Sequence, residues 1–357
     1  MRNRQEDSIK FIKEELIAEM VHDRCFCEAG SREFVELESV CVEPLQKLEI
    51  STVCEFYQVD AIIRFSGEEK NFSLIVKLLP VVPQHENAYE LFQNEELFYS
   101  KISMKYDIEI SPRCYLSDMG RYGRPAIVLE NLEARGYQRV YGKLDNDLLE
   151  LCLKRIGKFH ARGLRLKTEK FNLFREFFAK FLETLFTDQN SLIFSRKHSR
   201  VLEYLKSLPE SDPARKHGEI PSRNLYERIK ELTEEVKEDS TICHGDLSSG
   251  NLLFKYENGK PIDLKIIDWQ TMRYSSASID LGPILFRNLS VENASESIPK
   301  FLKIYLDAVT MEYPGGPLER LQTEFLSKLL YTYVILSLDE SIPVETLMET
   351  LRQSVRV

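Results

Sequence analysis

The stretch CHGDLSSGNLLF carries residue types that are suited to chemistry in this 357-residue chain. It contains His244, Asp246 and Asn251, and a further carboxylate, Asp268, follows the apolar run LKII. An aspartate can accept the proton of an attacking hydroxyl group, and amide and carboxylate oxygens are ligands that Mg²⁺ prefers. The pattern therefore predicts phosphoryl transfer, with Asp246 as the base and Asn251 and Asp268 as metal ligands.

The spacing of these residues supports that interpretation. Asn251 follows Asp246 after four intervening residues, and His244 stands two residues before Asp246, as in the catalytic loop of protein kinases. An aspartate or asparagine by itself is more often a simple turn residue. The complete set of residues, rather than any one member, predicts a catalytic loop.

Lys77 and Glu95 form a second pattern of charges in apolar surroundings. Lys77 lies within LIVKLLP, where its ammonium must reach water or find a partner. On a helix over 91–102, Glu95 falls near the centre of the apolar face. A strand lysine paired with a helix glutamate positions nucleotide phosphates in protein kinases, although a purely structural ion pair is the alternative.

The predicted secondary structure that positions these residues changes from strands in the first third of the chain to helices in the rest. TVCEFYQVDAIIRF and NFSLIVKLL predict paired strands around the turn SGEEKN, and RPAIVLE predicts a further strand. NLEARGYQRV reads as an irregular connector. From Asp147 the spacing of apolar residues is helical, with Asp145 or Asp147 as the N-cap. A hairpin with its turn at Asn258 and Gly259 follows the polar stretch, and the remainder reads as helices.

This order of elements predicts an α+β chain with two lobes. Residues 1–132 form a small β-rich lobe that binds nucleotide, residues 133–357 form a larger helical lobe for catalysis and substrate binding, and a cleft lies between them. We find no internal repeat.

The composition of the chain indicates which classes of binding partner and which cellular compartment to expect. The formal net charge is −9, which argues against nucleic acid or an anionic membrane as the main partner. The first residues lack a signal-peptide core, and no stretch approaches the roughly 18 apolar residues of a membrane span. The seven cysteines lack metal-ligand spacing. We therefore expect reduced thiols and a cytoplasmic location.

Several segments together resemble the ecdysteroid kinase-like family. They are HGDLSSGN with IIDWQ, VKLLP, NEELFY, VLENLEARGY and IGKFHA, in the same order as in that family, from about residue 53 to 280. The family comprises small-molecule kinases related to choline kinases and aminoglycoside phosphotransferases. It implies a bilobal protein-kinase-like fold. The HRD and DFG motifs of protein kinases are absent.

The resemblance implies a role for each matching residue. Lys77 and Glu95 would hold the α- and β-phosphates of ATP. The VLENL strand would be the hinge, where adenine meets the backbone of Glu130 and Leu132. The aspartate of SIDLG, Asp280, would brace the catalytic loop. The resemblance gives the residues of the polar stretch and Asp268 the same roles that their spacing predicts.

The loop that covers the phosphates departs from the family pattern. Family members usually have a glycine ahead of the YQV strand, whereas this chain has no glycine from Glu49 to Cys54. The backbone amides of Ser51 and Thr52 would face the phosphates instead, at a greater distance than glycine allows. This departure motivates an alternative, a catalytically weak, pseudokinase-like binding protein.

The predicted function is ATP- and Mg²⁺-dependent transfer of the γ-phosphate to an alcohol group of a small molecule. By resemblance, the acceptor is an ecdysteroid or a similar steroid or xenobiotic, and Trp269 and Tyr274 would suit an apolar acceptor unless they are ordinary core residues. The other enzyme alternative is a choline- or ethanolamine-type kinase, which needs aromatic and acidic groups around a cation. His160 reads as a packed core histidine.

Overall fold

The computed structural model describes residues 2–45, 53–106, 109–187, 199, 203–204, 206–212, 215, 225–289, 294–337, 339, 341–343, 346–348 and 350. The chain divides into two compact units, Met1–Gln138 and Arg139–Val357.

The first unit is built on a five-stranded antiparallel sheet with the strand order β1-β2-β3-β5-β4. Its strands are β1 (Val35–Pro44), β2 (Glu55–Phe65), β3 (Glu68–Leu78), β4 (Cys114–Asp118) and β5 (Ala126–Glu130). Its helices are α1 (Arg2–Phe11), α2 (Ile17–His22), α3 (Ala88–Leu97) and α4 (Ser103–Tyr106), with π-helical turns at Ile12–Leu16 and Phe98–Ile102.

One face of the sheet packs against the N-terminal helices. Alternate residues of β2 are buried, because successive side chains of a strand point to opposite faces. These residues join apolar side chains of α1, α2 and the turn between them in one core. The turn between β2 and β3 is shorter than the predicted SGEEKN. It consists of Ser66 and Gly67, which both have positive φ, and β3 already begins at Glu68.

The second unit is mainly helical. Its helices are α5 (Asn146–Glu169), α6 (Phe171–Phe178), α7 (Leu225–Glu234), α8 (Ser278–Asn288), α9 (Ala294–Glu312), α10 (Leu318–Ser327) and α11 (Leu329–Ser337). Short strands accompany them: β7 (Thr241–Cys243), β8 (Leu252–Glu257), β9 (Lys260–Ile266) and β10 (Arg273–Ser275), after β6 (Tyr137–Arg139) at the boundary of the units.

Helix α5 is the long central helix of this unit. Asp145 is its N-cap and accepts a hydrogen bond from the backbone N–H of Leu148 at 3.0 Å, so the aspartate that caps the helix is the first of the two candidates. The helix packs against α9, where a Cβ at Gly157 would lie 3.1 Å from the carbonyl of Tyr305. The glycine lets the two helices approach closely.

The α+β fold class is confirmed, with a strand-rich first unit and a helical second unit. Strands β1, β4 and β7 were not predicted, and two further short strands differ from what their segments predicted. β6 lies inside the segment expected to be irregular, and β10 lies in the segment expected to be helical. Each has three residues, too few to show a periodic pattern in the sequence.

Candidate active site

Lys77 and Glu95 are brought together inside the first unit. Lys77 lies on β3 and Glu95 on α3, and their side chains form a buried ion pair. Lys77 is 4% exposed and Glu95 is 1% exposed, so neither charge is held by water. The Lys77 ammonium also lies 5.2 Å from the centre of the Phe56 ring on β2. The apolar strand and the helix therefore enclose a desolvated charge pair.

The predicted catalytic loop joins β7 to β8 in the second unit. Asp246 is exposed, while His244 is fully buried beneath it. The Nδ1 of His244 accepts the backbone N–H of Asp246 at 3.2 Å, and its Nε2 contacts the carbonyl of Ile267 at 2.9 Å. These partners require the proton on Nε2. The histidine thus links the Asp246 backbone to the strand end before Asp268.

Asn251 lies beside Asp246 at the end of a 3₁₀ turn. Its Nδ2 donates to the Asp246 carbonyl at 2.9 Å and contacts the Asp246 carboxylate at 3.3 Å. Because the amide nitrogen faces Asp246, the amide oxygen points elsewhere, as a metal ligand requires. The Asn251 carbonyl accepts the N–H of Ile267 at 3.0 Å. The residue next to Ile267 is Asp268, so both candidate ligands lie at the same end of the β8–β9 hairpin.

Asp268 has a left-handed backbone conformation, with φ 66°. Non-glycine residues adopt this conformation at a cost, and aspartate tolerates it better than most. Its Oδ2 lies 3.4 Å from the side-chain amide of Gln270. Such strain is concentrated at functional sites in proteins. The Asn251 amide and the Asp268 carboxylate offer oxygen atoms of the kind that Mg²⁺ prefers, and their role as metal ligands stays a prediction.

Asp280 braces the catalytic loop from helix α8. It is fully buried, and its carboxylate accepts the backbone N–H groups of His244 at 2.7 Å and Gly245 at 2.8 Å. Burial by itself raises the pKa of Asp280, but the hydrogen bond from His160 and the charges and donors around it outweigh burial and lower that pKa. The ionised carboxylate fixes the backbone immediately before Asp246.

His160 and Tyr305 extend this brace. The Nε2 of His160 lies 3.1 Å from Asp280, and its Nδ1 lies 3.0 Å from the Tyr305 hydroxyl. Because the Asp280 carboxylate is ionised, His160 donates through Nε2 and accepts from Tyr305 through Nδ1. His160 is fully buried, in agreement with its interpretation as a core residue. Nothing in the sequence connects Tyr305 with the loop, because it lies 145 residues from His160.

Three potential metal ligands meet at this brace. The ligand atoms of His160, Cys243 and Asp280 lie within 4.8 Å of one another. The Asp280 oxygens, however, already accept N–H groups, and burial raises the pKa of the Cys243 thiol well above its ordinary value. The Cys243 thiol donates to the Ser276 carbonyl at 3.4 Å, and both ring nitrogens of His160 have partners. The three side chains thus serve the hydrogen bonds that hold the loop.

Trp269 is a core residue and not a contact for an acceptor. It is fully buried, donates its indole N–H to the Ile266 carbonyl at 3.0 Å, and packs against the rings of His244 and Phe159. Tyr274 packs against Phe174 and Phe178 in the helical unit. Trp269 thus packs against the loop through His244, whereas Tyr274 packs against helix α6.

The remaining predicted site residues lie in or near the first unit. Glu130 ends β5, donates its N–H to the Arg113 carbonyl at 2.9 Å and accepts the Arg113 N–H through its side chain at 2.8 Å. Leu132 is buried, and its carbonyl accepts the N–H groups of Arg135 and Tyr137. Ser51 and Thr52 lie outside the described residues. The nucleotide-binding roles of all four residues stay predictions.

A sequence profile described as the ecdysteroid kinase-like family matches residues 53–312. The chain belongs to the ecdysteroid kinase-like family. The resemblance predicted from the motifs, and with it membership of a kinase-like family, is therefore confirmed.

Two curated relatives match parts of this family member. A 4-hydroxytryptamine kinase of Psilocybe cubensis is 39% identical over 61 residues, which cover 16% of this chain and 17% of that protein. A kinase-like protein of Caenorhabditis elegans, described as uncharacterized, is 25% identical over 254 residues, which cover 68% of this chain and 63% of the relative. Both matches span less than two thirds of the relative's length.

Solved structures of small-molecule kinases are also similar. An ethanolamine kinase of Plasmodium vivax has a TM-score of 0.44 and 13% identity, with 88% of this chain and 81% of that chain covered. A choline kinase of Cryptosporidium parvum has a TM-score of 0.46 and 12% identity, with 89% and 88% covered. Within the described ranges, no helix combines the length and the apolar character that crossing a membrane requires.

Proposed function

We propose that this ecdysteroid kinase-like protein transfers the γ-phosphate of ATP to an alcohol group of a small molecule. The observation that carries the proposal is the loop around Asp246. An exposed carboxylate stands on a backbone that buried groups hold in place, and the two oxygen ligands Asn251 and Asp268 lie at the adjacent hairpin end. Phosphoryl transfer needs this combination of a positioned base and metal ligands.

Asp246 would act as the base. Its carboxylate accepts the proton of the acceptor hydroxyl as that oxygen attacks the γ-phosphorus, and the bond from that phosphorus to the bridging oxygen of ADP breaks. The hydrogen bond from Asn251 orients the carboxylate, and the Asp280 brace keeps the loop backbone from moving during the reaction.

The first unit would bind the nucleotide. The Lys77 ammonium, oriented by Glu95, would contact the α- and β-phosphates, and the backbone of Glu130 and Leu132 would contact adenine. Backbone amides of Ser51 and Thr52 would face the phosphates. The corresponding division of roles is a nucleotide-binding lobe at 1–132 and a catalytic and substrate-binding lobe at 133–357.

Asn251 and Asp268 would hold Mg²⁺. When bound, the ion supplies charge that neutralises the phosphate oxygens. Asp246 is assigned to the base and not to the metal, because a base that is already bound to a metal ion is a poorer proton acceptor.

The acceptor would be an ecdysteroid or a similar steroid or xenobiotic alcohol. Family membership supports this class, and a relative named 4-hydroxytryptamine kinase supports a hydroxylated small molecule in general. The activity would be cytoplasmic, where ATP is abundant, and the seven cysteines, which are all free thiols, are in keeping with a reducing compartment.

An acceptor screen tests the proposal. The purified chain is incubated with ATP and Mg²⁺ and with 20-hydroxyecdysone, choline, ethanolamine or a panel of steroid and phenolic alcohols, and the products are read by mass spectrometry. We expect a phosphate added to a steroid or xenobiotic alcohol, and a kcat lower by about 10²- to 10⁴-fold in Asp246→Asn because the base is lost.

Two controls separate the alternatives. Asp307→Asn changes an exposed aspartate on α9 whose ion pair within the described part of the chain is with the exposed Lys303, and it should leave kcat unchanged. Phosphorylation of choline or ethanolamine alone would favour the choline-kinase alternative. Nucleotide binding without any phosphorylated product would favour the pseudokinase-like alternative.

A further inference from the structure

A ring of polar side chains lies beside helix α1 in the first unit, where β2 begins and β3 ends. Arg124, in the connection from β4 to β5, donates through Nη1 to the Ser8 hydroxyl of α1 at 2.8 Å. It donates through Nη2 to the Glu55 carboxylate of β2 at 3.3 Å, and Ser8 donates to the same carboxylate oxygen at 2.7 Å. These three residues, the corner cluster, form a closed ring of hydrogen bonds.

The corner cluster is largely shielded from water. Ser8 is 1% exposed, and the side chains of Arg124 and Glu55 are 16% and 26% exposed. The Phe11 ring of α1 lies 5.7 Å from the guanidinium, and the Tyr57 hydroxyl donates to the Glu55 carboxylate at 3.2 Å. Hydrogen bonds to charged groups are stronger in such surroundings than in water. The corner cluster therefore fixes α1 against the first residue of β2.

The same guanidinium also holds the end of β3. Arg124 Nη2 donates to the Leu79 carbonyl at 3.1 Å, and the Leu79 N–H donates to the Pro125 carbonyl at 3.2 Å. Leu79 directly follows the last residue of β3, and Lys77 lies on that strand just before its end. One arginine side chain thus joins the connection into β5 to the start of β2 and to the end of β3.

The position of Lys77 depends on how these strands are aligned. Phe56 of β2 and Ile127 of β5 are its partners on either side in the sheet, and the Phe56 ring lies 5.2 Å from its ammonium. Phe56 directly follows Glu55 of the corner cluster. A buried ion pair such as that of Lys77 with Glu95 is favourable only where its geometry is closely held. A change in the corner cluster would therefore reach Lys77 through its own strand and both neighbouring strands.

We propose that Arg124 is a positioning residue for nucleotide binding, which acts through the corner cluster by fixing the strand ends around Lys77. Ser8 completes the ring from α1, although it lies outside residues 53–312, the range that the family profile matches. Helix α1 is then a working part of the nucleotide-binding unit. The effect on nucleotide binding rests on the proposed function, whereas the effect on Lys77 can be measured without nucleotide.

Chemical labelling of Lys77 tests its placement directly. The full-length chain and its variants are treated, without nucleotide, with acetic anhydride, and the acetylated fraction of each lysine is read by peptide mass spectrometry. Lys303, whose side chain is 73% exposed, is the internal reference. Arg124→Met keeps an unbranched side chain but removes the charge and the donors. We expect it to raise the rate of Lys77 acetylation by at least about ten-fold, since hydrogen bonds to a charged group no longer oppose local opening.

Arg64→Met is the matched control in the same sheet. Arg64 of β2 forms ion pairs with Glu36 and Glu38 of β1 and with Glu69 of β3, so this variant also removes charge pairs that join strands. Arg64 stands opposite Glu69, which lies about 26 Å along β3 from Lys77 at about 3.3 Å per residue. We expect the rate of Lys77 acetylation to stay within about two-fold of the wild type, because distant sites act independently.

Ser8→Ala keeps the test valid if Arg124→Met fails to fold. It removes only the hydroxyl group that joins α1 to the ring and leaves the ion pair of Arg124 with Glu55. Arg124→Lys keeps the charge, but an ammonium cannot reproduce the fork of the guanidinium. We expect both variants to acetylate Lys77 faster than the wild type and more slowly than Arg124→Met.

Calorimetric titration with a non-hydrolysable ATP analogue and Mg²⁺ gives the second readout. Arg124→Met should raise the Kd of the analogue by at least about ten-fold and leave the binding stoichiometry unchanged, because each folded molecule still has the site but with Lys77 less well held. A variant that merely unfolds in part would instead lower the stoichiometry and keep the Kd. Arg64→Met should leave both quantities at their wild-type values.

Three results would overturn the proposal. The first is the same rate of Lys77 acetylation in Arg124→Met, Ser8→Ala and the wild type. The second is an equal increase in Arg124→Met and Arg64→Met, which would show that a general loss of sheet stability exposes Lys77. The third is an unchanged Kd in Arg124→Met although Lys77 is acetylated faster. Faster acetylation in the corner variants, with no nucleotide bound by the wild type, would support the placement of Lys77 and contradict the proposed function instead.

Discussion

Side chains around the catalytic loop either face the proposed chemistry or hold the backbone that carries it. Asp246 is exposed, while Asp280 and His160 are fully buried. The sequence predicts Asp246 as the base, because its spacing from His244 and Asn251 is the spacing found in kinase catalytic loops. The role of Asp280 follows only from the family resemblance. The Tyr305 contact could not be predicted, because no local pattern connects positions that meet only through packing.

The brace predicts how stability depends on pH. The pKa of Asp280 is lower in the folded chain than its ordinary value, so the carboxylate stabilises the fold fully above the unfolded pKa of about 4, and this contribution is lost as the pH falls through the folded pKa. We expect Asp280→Asn to lower the free energy of unfolding by about 2–4 kcal/mol at pH 7, since two N–H groups lose a charged acceptor.

Urea unfolding of both chains between pH 2 and pH 8 checks this expectation. The difference between wild type and Asp280→Asn should be constant above about pH 5 and should shrink below about pH 4. A difference that is the same at every pH would show that the charge of Asp280 is not what stabilises the loop. Asp307→Asn is the control, because its side chain is 60% exposed.

Among the secondary-structure elements, the β8–β9 hairpin was predicted with its turn because Asn258 and Gly259 are residues that adopt positive φ. The helix that carries Glu95 was predicted from its apolar face. β1 was not predicted, although its apolar and acidic residues alternate from Val35 to Glu38, which is the pattern of a half-buried strand. β7 and β10 pair with each other in antiparallel orientation, but each has only three residues. Their pairing depends on tertiary structure, so the sequence does not predict it.

Gly245 is the residue of the loop that tolerates substitution least. Its φ is 89°, and a Cβ there would lie 2.1 Å from the Thr271 carbonyl oxygen. We expect Gly245→Ala to displace the loop, to lower the free energy of unfolding by more than about 2 kcal/mol, and to lower kcat.

Gly259→Ala is the matched control for this substitution. Gly259 also has positive φ, 76°, but a Cβ there would have no atom within 4 Å. We expect Gly259→Ala to lower the free energy of unfolding by about 1 kcal/mol, through backbone conformation alone, and to leave kcat unchanged. Equal effects of the two substitutions on unfolding and on kcat would contradict the assigned contact between Gly245 and Thr271.

At the scale of the whole molecule, the change from strand-rich to helical sequence predicted two lobes, 1–132 and 133–357, and the roles of those lobes stay a prediction. The structure divides into the compact units Met1–Gln138 and Arg139–Val357. Membership of the ecdysteroid kinase-like family was also predictable, because its motifs are spread over most of the chain. The acceptor molecule could not be predicted from the sequence. An acceptor pocket depends on side chains from several helices, and no spacing rule connects those side chains.

Nucleotide binding should stabilise the whole chain. A ligand that binds only the folded state adds about 2.7 kcal/mol at 100 times its Kd. We expect a non-hydrolysable ATP analogue with Mg²⁺ to raise Tm in the wild type and in Asp246→Asn. In Asp268→Asn the part of the shift that requires Mg²⁺ should disappear, since asparagine keeps the left-handed backbone but removes the charged ligand.

Differential scanning fluorimetry with and without Mg²⁺ measures these shifts. The same Mg²⁺-dependent shift in Asp268→Asn and in wild type would contradict the metal assignment. The absence of any shift in the wild type would contradict nucleotide binding itself.

The exposed tip of the β8–β9 hairpin has a practical consequence. Glu257, Asn258, Gly259 and Lys260 are all exposed there, and the strands that meet at this tip begin and end beside Asn251 and Asp268. A short peptide tag inserted after Gly259 should be accepted, because exposed loop tips tolerate insertions. Such a tag would anchor the molecule to a sensor chip through a rigid arm, and it would leave the chain termini unconstrained.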